Sequence, residues 1–157
     1  HKDSFGNIKT LPAGEFQLMS AGKGIYHSEF NASNTEPLHF LQIWIQPDTL
    51  GIDAGYQQKA FEQTSALTAV VTPTGENGTL KVQQDATLYR LMLAPQEQVH
   101  MPQLKPQRQL YVQLVEGTLK VNEQVLTPGD GAHITAEEVV RFSATDSPVT
   151  ALVFDLA

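Results

Sequence analysis

Short runs of alternating or apolar residues dominate this chain, each cut off within a few positions by Gly, Pro, Asn or Asp. No stretch carries a sustained helical periodicity. Runs of roughly four to eight residues bounded by such turn chemistry read as strands. The expected fold class is therefore all-β, a sandwich or barrel. The pattern places strands at 8–11, 15–19, 25–30, 38–45, 68–72, 79–82, 87–93, 109–115, 118–121, 132–135, 139–143 and 150–156. Residues 46–65 break it. They hold Pro47, Gly51, Gly55 and the polar run Tyr56-Gln57-Gln58-Lys59, and read as a linker with one short helix near 57–61.

A weak internal repeat divides the chain further. Pro12-Ala13-Gly14-Glu15 and Pro128-Gly129-Asp130 each precede a strand and follow a glycine-bearing hairpin. Two copies of one β unit are expected, in segments 1–46 and 66–157, joined by 47–65. A length of 157 residues suffices for two small packed units. The absence of cysteine excludes disulfides and thiolate metal sites, so any metal must sit on imidazole, carboxylate or amide groups. A net charge of −7 weighs against nucleic acid as a ligand. No apolar run approaches the ~18–20 residues of a membrane span. The chain opens on His1 inside what reads as a β-hairpin, so a preceding segment is expected.

The sharpest chemical feature is His27-Ser28-Glu29. In a strand, residues two apart share a face, so an imidazole and a carboxylate project together as two arms of a metal site. Taken alone, the pair reads more readily as a surface ion pair or a hydrogen-bonded core pair than as metal ligands. Its surroundings narrow the choice. Gly6, five residues and Pro12-Ala13-Gly14 resemble the opening of the second conserved cupin motif. Gln17 stands where ordinary cupins carry a histidine ligand. His27 follows later instead, and Asn31 completes a His-x3-Asn ending.

That departure resembles the pirin family. The similarity runs through Asp3-Ser4-Phe5-Gly6-Asn7, Pro12 to Met19, Ser20 to Ile25, His27-Ser28-Glu29 and Leu38-His39-Phe40-Leu41-Gln42-Ile43-Trp44-Ile45. It is nearest to bacterial pirin-like proteins with quercetin 2,3-dioxygenase activity. The resemblance implies two cupin barrels (double-stranded β-helices), the first of them incomplete in this chain. It also implies one divalent transition metal held by three histidines and a glutamate: Fe(II) first, with Ni, Cu, Mn or Co able to fill the same set. His27 and Glu29 match the third histidine and the glutamate. The other two histidines belong to a His-x-His strand that would precede His1, and His1 itself matches a hairpin histidine, not a ligand. Glu29 would also serve as a base toward a flavonol hydroxyl.

Other positions stand beside these. Gln17 and Met19 share a strand face and are candidates for lining the substrate cavity near the metal. Phe40, Gln42 and Trp44 would share another face, as core or as the wall of an aromatic pocket. His133 lacks a partner two residues away, so no second metal is expected. Arg108, Arg141 and Lys120 form no stripe. The function implied for the full-length protein is a metal-dependent dioxygenase acting on a flavonol such as quercetin and on O₂. This length alone is expected to be inactive, and either to self-associate through an open barrel edge or to keep the missing segment bound as a separate piece. A non-catalytic, metal-binding regulatory or interaction module is the alternative. No nucleic-acid or membrane partner is expected, and the location is expected to be cytoplasmic.

Overall fold

A computed structural model of the protein describes residues 1–101, 107–135 and 139–157. Its secondary structure there is almost entirely strand. The front of the chain carries β1 (Lys2–Asp3), β2 (Glu15–Ser20), β3 (His27–Ser28) and β4 (Gly55–Ala60). Then come β5 (Leu67–Thr72), β6 (Leu80–Lys81), β7 (Ala86–Leu93), β8 (Gln98–Met101) and β9 (Gln109–Glu116). The last are β10 (Leu119–Val121), β11 (Gln124–Leu126), β12 (Gly131–Thr135), β13 (Val140–Ala144) and β14 (Val149–Leu156). A short 3-10 turn, Glu76–Gly78, separates β5 from β6.

The back of the chain forms two facing sheets, in strand orders β12-β9-β14-β7-β5-β6 and β11-β10-β13-β8. Pairings are antiparallel apart from β5 with β6. The core between them follows from strict alternation. In β9, Leu110, Val112 and Leu114 are buried while Tyr111 and Gln113 face outward. They pack with Leu91, Leu119, Val140 and Phe142, leaving a filled interior as expected of a cupin-type unit.

Where β14, β7, β5 and β6 run, the six-stranded sheet is covered on its other face too. That explains the unbroken apolar run Ala151-Leu152-Val153-Phe154 in β14: alternate residues serve opposite faces, and both are dry. Leu152 and Phe154 join Val70, Leu80 and Leu88 in a second cluster, against which Phe16, Leu18 and Phe61 pack. Phe16 and Leu18 lie on β2, and Phe61 directly follows β4. The β2–β4 ribbon is thus fastened to the back unit by apolar burial, and it carries its polar face toward the rest of the front segment.

β2 and β4 pair antiparallel from Glu15 with Ala60 to Ser20 with Gly55. The short helix expected near 57–61 is absent; the stretch is strand. The polar run does alternate, with amides on both sides. The Gln57 side chain donates to the Lys81 carbonyl and accepts from the Lys81 N–H, both at 2.9 Å, and so stitches β4 to β6. Tyr56 and Gln58 point to the other side. Gly22 lets the chain after β2 return close to this ribbon. Its φ is +56°, and a Cβ there would lie 2.4 Å from the Ala54 nitrogen.

Three expected strands differ. Residues 8–11 make only an isolated bridge between Lys2 and Ile8. The strand expected at 25–30 shrinks to β3. Residues 38–45 are not strand, and Phe40 and Trp44 are 51% and 86% exposed. Alternation supplies a face, but a strand also needs a neighbour to bond its backbone, and none of the described residues lies alongside. Besides β1 and β4, the short strands β8 and β11 do not stand out in the sequence pattern. Their partners β13 and β10 bring them into the four-stranded sheet.

Candidate functional site

The site grows from a tight loop at the start of the chain. β1 pairs with β3, setting Asp3 opposite His27. The loop that follows folds back on Asp3. Its Oδ1 accepts the backbone N–H groups of Phe5 (2.9 Å) and Asn7 (3.0 Å). Its Oδ2 accepts the Asn7 amide at 2.7 Å and lies 3.0 Å from Nε2 of His1. Asp3 is buried. Burial alone would raise its carboxyl pKa, but the hydrogen bonds from the Asn7 side chain and from backbone N–H groups outweigh it and hold the pKa below the ordinary value.

The His1 ring is enclosed and reaches two carboxylates. While Nε2 faces Asp3, Nδ1 lies 2.8 Å from Oε1 of Glu29. The His27 ring stacks on it at 5.9 Å between centroids and 24° between planes. The Tyr56 ring closes another side at 4.8 Å. Oε1 of Glu29 takes a second hydrogen bond, from Nε2 of Gln17 at 2.9 Å. Behind Gln17, the Tyr56 hydroxyl lies 2.9 Å from Oε1 of Gln17 and 2.7 Å from Oε1 of Gln58. Gln58 is anchored in turn by donating to the Thr10 carbonyl (2.9 Å) and to Glu15 (2.7 Å). Burial, followed by the charges of Glu29, Asp3 and Glu15, pushes the Tyr56 hydroxyl pKa up. A cleft of about 600 Å³ opens beyond it, lined by Lys9, Thr10, Glu15, Tyr56, Gln58, Lys59 and Ala60.

β3 ends at Ser28, so Glu29 lies just past the strand that holds His27. Both side chains nevertheless meet the same His1 ring, one by stacking and one by hydrogen bonding. Gln17 does not present a free amide to a cavity; its two ends are taken by Glu29 and Tyr56. Met19 sits opposite Tyr56 on the β2–β4 ribbon, partly buried. Sequence reasoning missed Asp3, Tyr56 and Gln58, and gave His1 no role. The signal available for the β4 pair was the two-residue spacing of Tyr56 and Gln58.

The donor atoms bear on whether a metal fits. Among the described residues, neither the His27 ring nor Oε2 of Glu29 makes a hydrogen bond, so each keeps a lone pair of the right kind for a borderline divalent ion. Among the described residues no group of three or more potential ligands converges, so His27 and Glu29 amount to part of a ligand set. Also among the described residues, no helix is long and apolar enough to cross a membrane.

Comparison with known proteins follows the same outline. A family model described as the quercetinase C-terminal cupin domain matches residues 69–156, and the Pirin model matches residues 1–45. A quercetin 2,3-dioxygenase of Escherichia coli is 44% identical over 99% of this chain, which spans 67% of that relative. The crystal structure of YhhW from Escherichia coli superposes with a TM-score of 0.94 at 42% identity, covering 99% of this chain and 66% of that one. The bacterial pirin YhhW in complex with nickel(II) gives a TM-score of 0.91 at 42% identity, again covering 99% and 66%. The chain thus spans about two thirds of the length of the relatives it matches. With one family model over more than half of the chain, a second over its front, and this identity along nearly its full length, the chain belongs to the pirin family.

Proposed function

We propose that the chain is the part of a pirin-like quercetin 2,3-dioxygenase that supplies His27 and Glu29 to a single divalent transition metal. The observation that carries this reading is the state of Glu29. Its Oε1 is occupied by His1 and Gln17, while among the described residues Oε2 makes no hydrogen bond, and the His27 ring stacks on the same His1. Similarity to a named quercetin 2,3-dioxygenase and to a nickel(II)-bound pirin supports the activity and the metal class. Fe(II) is our assignment for the native ion, since imidazole and carboxylate ligands with open positions suit it.

When bound, the metal would polarise a flavonol oxygen and accommodate O₂. The protein's own part is positional and proton-handling. His1 and Gln17 hold Glu29 in one orientation. A carboxylate so held can take the flavonol hydroxyl proton when that hydroxyl comes within hydrogen-bond reach. Gln17 and Met19, on the same ribbon, would border the substrate. Quercetin consumption by the full-length protein under O₂ tests this. Glu29→Gln should lower turnover by at least about 100-fold, the lower range for a positioned acid–base group, with the thermal transition preserved. Turnover near the wild-type rate would remove Glu29 from the chemistry.

A further inference from the structure

An amide has a donor end and an acceptor end, and only its partners decide which way it faces. At Gln17 the choice matters. With Nε2 toward Glu29, the amide donates to Oε1 at 2.9 Å. Turned over, it would set a carbonyl oxygen against a carboxylate oxygen. The carboxylate thus fixes the orientation, and the Tyr56 hydroxyl supports it from behind, because it lies 2.9 Å from Oε1 of Gln17 and can donate to it. Gln58 cannot supply that donor. Its own Nε2 is spent on the Thr10 carbonyl and Glu15, so it too shows Tyr56 an oxygen. Tyr56 therefore faces two amide oxygens with a single proton, which Gln17 at 2.9 Å shares with Gln58 at 2.7 Å. The Tyr56 ring is fixed independently, by the backbone register of β2 and β4 and by its contact with His1.

We propose that Tyr56 is a positioning residue that acts on Glu29 through Gln17, locking the amide so that Oε1 of the carboxylate is held and Oε2 alone is presented to the metal. The inference rests on the reading of Glu29 as a ligand. It assigns a role to a residue on β4, outside both segments matched by the family models. His1 holds the same Oε1, so loss of Tyr56 should loosen Glu29 without releasing it.

The test is a double-mutant cycle in the full-length apo-protein titrated with Co(II), whose visible absorption reports ligand geometry. Tyr56→Phe keeps the ring and removes only the donor. It should weaken Co(II) binding by about tenfold, the scale of outer-shell losses, and shift the absorption bands. Gln17→Leu should weaken binding at least as much, with Gln17→Met taking its place if it fails to fold. The combined variant should bind no more weakly than the Gln17 variant alone, since Tyr56 acts only through Gln17. Wild-type affinity and spectrum in Tyr56→Phe, or losses that multiply in the double variant, would overturn the proposal. Glu29→Gln separates the two levels. If it weakens binding while Tyr56→Phe changes nothing, the ligand stands and the role of Tyr56 falls; if Glu29→Gln binds Co(II) like wild type, the underlying reading falls.

Discussion

Gln57 and Lys81 are joined by two side-chain-to-backbone hydrogen bonds of 2.9 Å each, one given and one received, so that an amide side chain continues the sheet across a gap that no strand fills. Residues on either side of Gln57 carry the polar network behind Glu29. The stitch therefore connects the fold of the back unit to the geometry of the site.

Removing the stitch should loosen β4 more than it unfolds the protein. Gln57→Leu loses two hydrogen bonds, each worth about 0.5–1.5 kcal/mol net. Exposed Lys81 can turn to water, so the lower end applies. Amide hydrogen exchange should accelerate across Gly55–Ala60 and stay unchanged in β9. Unchanged protection in β4 would show that burial of Phe61 alone holds the ribbon.

Much of the back unit was legible in the sequence because its strands obey a simple rule. Leu110, Val112 and Leu114 alternate with polar neighbours, and the apolar run of β14 signals cover on both faces. The front segment obeys no such rule. Residues 38–45 are as apolar as a buried strand, with only His39 and Gln42 polar, yet no described strand pairs with them, and pairing is not written in one strand's own residues. Tyr56-Gln57-Gln58 looks like a linker because its partners are polar. Of the site, His27, Glu29 and Gln17 were visible from motif spacing. Asp3 was not, because half of its partners are backbone N–H groups, which carry no residue identity, and the others, Asn7 and His1, form no recognisable motif with it.

The two apolar clusters should respond differently in kind but alike in size. Phe142 is fully buried between the sheets, and Phe142→Ala should cost about 3–5 kcal/mol. Leu152 faces the β2–β4 ribbon, and Leu152→Ala should cost about 2–5 kcal/mol while also speeding hydrogen exchange in β2 and β4. Denaturant titration together with exchange checks both. A Leu152 variant that leaves β2 and β4 protected would mean that the ribbon does not depend on the seam.

The turn before β12 should show a pH signature. Oδ2 of Asp130 accepts from the Thr127 N–H and from its hydroxyl, both at 2.8 Å, and these bonds lower the Asp130 pKa from 3.8. A depressed carboxyl pKa stabilises the fold above the unfolded value, and that stability is lost as pH falls through the folded value. Asp130→Asn should therefore melt below the wild type at neutral pH, and the gap should close as the pH drops beneath 3.8. A gap constant down to acid pH would contradict the assignment.

Gly117 turns the chain between β9 and β10 with φ of +86°, and a Cβ there would lie 2.2 Å from the Pro148 carbonyl oxygen. Gly117→Ala meets both a backbone penalty and a backbone clash. It should lower the melting temperature more than Gly129→Ala, whose φ is +94° but whose Cβ would meet nothing within 4 Å. Equal losses would show that the Pro148 segment yields freely.

The account stands most directly on metal binding by His27 and Glu29. The decisive measurement is the stoichiometry and affinity of Fe(II) and Ni(II), taken anaerobically, in full-length wild-type protein and in the His27→Ala/Glu29→Gln double variant. The account predicts one ion per chain in the wild type. In the variant it predicts an affinity loss of more than about 100-fold, beyond what outer-shell changes produce, with the melting transition of the apo-protein retained. Wild-type stoichiometry and affinity in the double variant would contradict it.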